Sequence, residues 1–180
     1  MRRTTLRRAA LSATLALGAG LLGFAQPASA AAPVPMTVTV DKQTATPGST
    51  VNLTLTFTNT ESTNVQFVYQ SIQPSYDTSQ DVGLKYAFTS CTGDVSACDV
   101  AAKQSGSMRY NVPVTPGATR TVKLSYQIAA DSACGPSRRI DFYSYLYYEY
   151  QAGQQKKDGV YPVGTAVTCT GGNPAAAAHK

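Results

Sequence analysis

Alternation with a period of two constrains this chain more than any other feature. Val51, Leu53, Leu55 and Phe57 take every second position, and Asn52, Thr54, Thr56 and Thr58 fill the places between. Successive side chains of an extended strand point to opposite faces. The stretch therefore reads as a strand with one buried face and one hydroxyl-rich face in solvent. Met36, Val38 and Val40 alternate in the same way with Thr37 and Thr39. Between these two strands lies "TPGS", Thr46 to Ser49, where Pro47 presets a turn and Gly48 permits a positive backbone angle.

The pattern recurs along the chain. Val65, Phe67 and Tyr69 are expected to share a face, as are Leu84, Tyr86 and Phe88, and Tyr110, Val112 and Val114. "TPGA", Thr115 to Ala118, repeats the Pro-Gly turn and launches a strand with Val122, Leu124, Tyr126 and Ile128 inward. "DFYSYLYYEY", Asp141 to Tyr150, follows, then the polar turn "AGQQKKDG", Ala152 to Gly159, and the last strand "GVYPVGTAVT". No helical period stands out, and "DVAAKQ", Asp99 to Gln104, has room for one turn at most. Seven to eight short strands punctuated by turns predict an all-β fold, an antiparallel β-sandwich with one shared core.

The N-terminus carries a secretory signal pattern. Arg2, Arg3, Arg7 and Arg8 precede an apolar stretch from Ala9 to Ala25, and "ASA", Ala28 to Ala30, supplies the small residues of a cleavage site. Cleavage is placed after Ala30, within two residues, by an export route left open. The apolar run is short and broken by Ser12, Thr14 and glycines, which disfavours a membrane anchor. The expected organisation is a signal peptide at 1–30, a short arm at 31–35, a sandwich at 36–170 and a flexible tail at 171–180. Four of the fifteen basic residues leave with the signal, so eleven Lys and Arg face ten Asp and Glu. That balance offers no basic patch for nucleic acid. A secreted, extracellular protein without a stable membrane anchor is the expectation.

Four cysteines in an exported chain suggest disulfides. Three pairings are available, and Cys91–Cys98 with Cys134–Cys169 is favoured. The first closes "CTGDVSAC" around Gly93-Asp94; the second joins the start of one late strand to the end of the next. A zinc site is disfavoured because there is no CxxC pair and the one histidine, His179, lies in the tail.

Nor do the residues spell out catalysis. A nucleophilic triad needs a histidine inside the fold. Asp77, Asp81, Asp94, Asp99 and Asp131 fall in loops, where caps and turns are their usual work, although a glycosidase-type pair would come from such residues. No calcium loop and no nucleotide-binding glycine loop is present, so no metal and no cofactor is expected. Asn52-Leu53-Thr54 is a formal glycosylation sequon within a strand.

The candidate site is the tyrosine strand. Alternation puts Ile140, Phe142, Ser144, Leu146, Tyr148 and Tyr150 on one face, and Asp141, Tyr143, Tyr145, Tyr147, Glu149 and Gln151 on the other. The charged residues mark the second face as the solvent side. Tyr143, Tyr145 and Tyr147 then form an outward strip with about 6.8 Å between neighbours. Such rings give large contact area at low entropy cost and keep a hydroxyl for hydrogen bonding. A loop such as "QPSYDTSQD", Gln73 to Asp81, could instead cover them.

"VTVDKQTATPGSTVNLTLTFTNT", Val38 to Thr60, resembles the opening of bacterial secreted Ig-like "conserved repeat" domains, the family catalogued as domain of unknown function eleven. The shared pattern is a strand, Pro47-Gly48, a strand of alternating threonine and apolar residues, and a closing Asn59-Thr60. "VTPGATRTVKLSYQI" is similar to the family's later Pro-Gly strand. The resemblance implies an Ig-like sandwich acting as a spacer, adhesive or binding module, and it carries no catalytic residue. Small secreted apoproteins of the neocarzinostatin type are a weaker likeness, with different cysteine spacing. The resulting expectation is a non-enzymatic binding or adaptor module for an extracellular protein or cell-surface glycan, which could serve as a subunit of a secreted assembly. Two alternatives are a carrier of a small apolar ligand in a sandwich cleft and a small carboxylate-dependent hydrolase.

Overall fold

The computed structural model describes residues 33–170. The expectations for the signal peptide, for the whole tail at 171–180 including His179, and for the first two residues of the arm lie outside the described residues. Ten strands and one short helix follow in order: β1 (Met36–Val40), β2 (Thr44–Ala45), β3 (Thr50–Thr58), β4 (Val65–Pro74), α1 (Tyr76–Gln80), β5 (Tyr86–Gly93), β6 (Val95–Asp99), β7 (Gly106–Tyr110), β8 (Thr119–Ile128), β9 (Arg139–Tyr150) and β10 (Gln155–Val167). They form a four-stranded sheet, β1-β3-β8-β5, and a six-stranded sheet, β2-β10-β9-β4-β7-β6. This is an Ig-like β-sandwich. The count exceeds seven to eight because the two-residue β2 and the five-residue β6 pair at the sheet margins. Apart from the parallel β2–β10 pair, the ladders are antiparallel.

The alternating residues build the core. Val51, Leu53 and Leu55 of β3 stand opposite Tyr126, Leu124 and Val122 of β8, and these, with Phe57 of β3 and Ile128 of β8, are all buried. From the other sheet, Phe142 meets Tyr126 at 5.5 Å and Phe88 at 5.4 Å between ring centroids. Edge-on and tilted contacts of this kind add to the burial of large rings. Both Pro-Gly turns form, with Gly48 and Gly117 at positive φ.

The two disulfides hold the margins. Cys91–Cys98 bridges β5 to β6, where the chain passes from one sheet to the other. Cys134–Cys169 ties the approach to β9 to the end of β10 across 35 positions, a loop whose closure is worth about 4 kcal/mol by chain entropy.

Four local expectations need correction. Val65 does not share a face with Phe67 and Tyr69, because β4 shifts register between Val65 and Phe67. Val65 is buried, while Phe67 and Tyr69 turn outward and Val68, Gln70 and Ile72 turn inward. Val112 is exposed because β7 ends at Tyr110 and the chain bends through Val112-Pro113. The turn before the last strand is tighter than Ala152–Gly159, so Lys156, Lys157 and Asp158 lie inside β10. "QPSYDTSQD" is not an open loop. Ser75 caps α1 by accepting from the Thr78 N–H, and the buried Thr78 hydroxyl fastens the helix to β9 by accepting from the Asp141 N–H at 2.9 Å.

Candidate functional site

β9 runs through the middle of the six-stranded sheet, and its alternation settles which rings face where. Ile140, Phe142, Ser144, Leu146 and Tyr148 are buried. Tyr143, Tyr145 and Tyr147 lie on the outer face, Tyr143 at 49% exposure and the other two half-buried. Tyr150, expected inward, is half-buried at the strand end, with the Lys157 ammonium 5.4 Å from its ring centre.

Cross-strand register widens the strip into a patch. Tyr147 stands opposite Tyr69 of β4 and Asp158 of β10. Tyr145 stands opposite Ser71 and Val160, and Tyr143 opposite Gln73 and Pro162. Phe67 meets Tyr147 edge-on at 6.1 Å, and the Arg109 guanidinium sits 5.8 Å from the Phe67 ring centre. Five rings on two adjacent strands, Phe67, Tyr69, Tyr143, Tyr145 and Tyr147, therefore share one surface.

Phe67 and Tyr69 escaped the sequence reading because of Gln70. A glutamine among Val68 and Ile72 makes the inward face of β4 look like the wet one. Inside the fold Gln70 is fully buried, accepting from the Tyr110 hydroxyl and donating to Ser144. A buried polar group is tolerated when its hydrogen bonds are made, and here both partners come from other strands.

Carboxylates hold two of the rings. Tyr145 donates to Asp158 Oδ2 at 3.2 Å and Tyr147 to Glu149 Oε1 at 2.7 Å. Desolvation, with the hydrogen bond to Asp158, raises the Tyr145 hydroxyl above the usual tyrosine range. The hydrogen bond to Glu149, more than desolvation, raises Tyr147. Both remain neutral donors at physiological pH. The Tyr143 hydroxyl makes no hydrogen bond among the described residues.

Two open depressions flank the patch. One, of about 420 Å³, lies between α1, β9 and β10 and is lined by Asp77, Arg139, Asp141, Tyr143 and Gly164 among others. The other, of about 250 Å³, lies beyond β4 and includes Tyr69, Gln73, Asp99 and Lys103. α1 borders the first without covering Tyr143.

Two of the five aspartates expected in loops lie in regular elements, Asp77 in α1 and Asp99 at the end of β6, and most of the five are committed to the fold. Asp81 pairs with Arg138, Asp99 with Lys103 and Asp131 with Lys85. Asp94 accepts from the Thr121 N–H at 2.9 Å. Asp77 is exposed at the rim of the larger depression. The sequon amide is also spent, since Asn52 donates to Asp41 and accepts from Ser125 at 2.7 Å each. All four cysteines are bridged. Among the described residues no helix is long and apolar enough to cross a membrane, and no three His, Cys, Asp or Glu side chains gather to hold a metal.

The fold and this surface define an Ig-like β-sandwich module with an aromatic outer face. No protein-family model matches the chain, and no curated protein matches it. Solved structures share its fold. A chain of the complex of CaDoc0917 with CaCohA2 superposes with a TM-score of 0.53 at 16% identity, covering 75% of this chain and 99% of that one. The cohesin module of a Clostridium perfringens family 33 glycoside hydrolase gives 0.52 at 9%, covering 75% and 96%. BcpA, the major pilin subunit of Bacillus cereus, gives 0.52 at 6%, with 76% of this chain matched to 41% of that one. At these identities the likeness establishes the shared sandwich.

Proposed function

We propose that this protein is an exported, non-enzymatic binding module that grips a protein partner through the outer face of its six-stranded sheet. The observation that carries the reading is the patch of five rings on β4 and β9, with Tyr145 and Tyr147 tethered by neighbouring carboxylates. Rings held in place lose little further entropy on binding, so their contact area converts efficiently into affinity. The hydroxyl and carboxylate groups around them supply the polar rim that protein interfaces use.

The fold supports an adaptor role within an assembly. One similar structure was solved as a two-protein complex and another is a pilin subunit. The likeness of Val38–Thr60 to conserved-repeat domains fits the same kind of module. Paired cysteines fit export, and an extracellular form beginning near Ala31 is the matching expectation for the N-terminus.

Affinity capture from culture supernatant, with the processed protein as bait, tests the reading. The wild type retains a specific partner, and the triple variant Tyr143→Ala, Tyr145→Ala, Tyr147→Ala loses it while melting cooperatively. A folded triple variant that captures the same partners would sink the proposal.

A further inference from the structure

Tyr143 differs from the other two rings of its strip. Tyr145 and Tyr147 are tied down by Asp158 and Glu149, whereas Tyr143 is the most exposed of the three and its hydroxyl is unengaged among the described residues. It forms one wall of the depression of about 420 Å³ between α1, β9 and β10, a volume within the range of small-molecule sites.

Its neighbours along β9, Asp141 and Arg139, also line the depression and are held in place. Arg139 Nε lies 3.3 and 3.2 Å from the two Asp141 carboxylate oxygens, and its Nη2 lies 3.1 Å from Oδ1. The Asp141 backbone is anchored on both sides: its N–H donates to Thr78 Oγ1 at 2.9 Å, and its carbonyl accepts from the Ser75 N–H at 2.8 Å. Gly164 stands opposite Asp141 in the β9–β10 ladder. A Cβ there would collide with Asp141 Oδ1, so the carboxylate rests in space that only glycine leaves open. Asp77 adds a second carboxylate at the rim and makes no ion pair among the described residues.

We propose that this depression is a carbohydrate subsite, in which Tyr143 stacks on the apolar face of a neutral sugar ring while Asp141 and Arg139 hydrogen-bond its hydroxyls. A sugar ring has a C–H face for the aromatic wall and adjacent hydroxyls that both donate and accept. The Asp141–Arg139 pair presents an acceptor and a donor side by side in fixed positions. Competing ligands fit less well. The guanidinium of Arg139 disfavours a partner's basic side chain, the carboxylates of Asp77 and Asp141 disfavour an anion, and a purely apolar group would strand all three. The subsite does not depend on the protein-partner reading, and its test contains no protein partner.

The experiment is an amide-resolved NMR titration of the processed protein with cellohexaose, xylohexaose, mannohexaose and chitohexaose. At least one of these gives saturable shifts at Asp141, Tyr143 and Gly164. Tyr143→Ala and Gly164→Ala each weaken that binding about tenfold or more, roughly the loss of one good polar or stacking contact. The double variant Tyr145→Ala, Tyr147→Ala leaves it within about threefold. Gly164→Ala is the discriminating change, since its Cβ meets the Asp141 carboxylate first and the Ile140 backbone carbonyl only at 3.0 Å. Should it fail to fold, Asp141→Asn serves, with the same expected loss. The absence of saturable shifts with every sugar, or wild-type affinity in the folded Gly164→Ala or Asp141→Asn protein, overturns the assignment.

Discussion

Tyr148 on the inner face of β9 donates its hydroxyl at 2.7 Å to Glu61, a carboxylate 87 positions earlier in the chain. Lys157 of β10 reaches the same carboxylate at 2.8 and 2.9 Å. Burial tends to raise the Glu61 pKa, but the hydrogen bonds from Lys157 and Tyr148 outweigh it and hold it below the ordinary 4.5. The folded value lies under the unfolded one, so this stabilisation is complete above 4.5 and is lost as pH falls through the folded value. Urea unfolding across acidic pH checks this: Glu61→Gln flattens the acid limb and costs about 1–2 kcal/mol at neutral pH. An unchanged acid limb in the variant would remove Glu61 from the account.

Two buried tyrosines should respond oppositely to losing the same atom. Tyr110 donates its hydroxyl to Gln70, which is fully buried. Tyr110→Phe leaves a buried acceptor unpaired and should cost about 1–3 kcal/mol. The Tyr126 hydroxyl is buried without a hydrogen-bond partner among the described residues, and the Thr165 hydroxyl donates to the Lys42 carbonyl at 2.9 Å. Tyr126→Phe should therefore be neutral or stabilising, within about 1 kcal/mol. Chemical denaturation of the two variants gives the comparison directly, and equal losses would contradict it.

The β9–β10 hairpin turns through three consecutive left-handed residues: Gln151 at φ 52°, Ala152 at 55° and Gly153 at 83°. Residues other than glycine reach that region only at a cost of about 1–2 kcal/mol. Ala152→Gly should raise stability by about 0.5–1 kcal/mol after its entropy penalty is subtracted. A thermal melt reads this as an upward shift, and a lower melting temperature would refute it.

On the outer face, Tyr147 owes its raised pKa first to the Glu149 carboxylate that accepts its hydrogen bond. Glu149→Gln removes that negative acceptor, so the Tyr147 phenol should ionise at lower pH than in the wild type. An NMR titration of the ring carbons measures the midpoint. Coincident midpoints in the two proteins would mean that the hydrogen bond does not form in solution.

The faces of β9 were legible in sequence because nothing interrupts its alternation from Ile140 to Glu149. β4 was misread at the point where a register shift and the buried Gln70 break the same rule. Helix α1 escaped because five residues are too few for a helical period. Its one local sign was Ser75 after Pro74, with Asp77 in the first turn.

The sequence by itself determined the sandwich, its Pro-Gly turns and the outward direction of Tyr143, Tyr145 and Tyr147. Those features follow from side-chain alternation and backbone preference, which act between near neighbours. Tertiary structure decided what stands beside them. Phe67 and Tyr69 join the patch through the β4–β9 register, and Gly164 makes room for Asp141 through the β9–β10 register. Cross-strand neighbours are set by how whole ladders align to share one core, and no local stretch of the chain encodes that alignment.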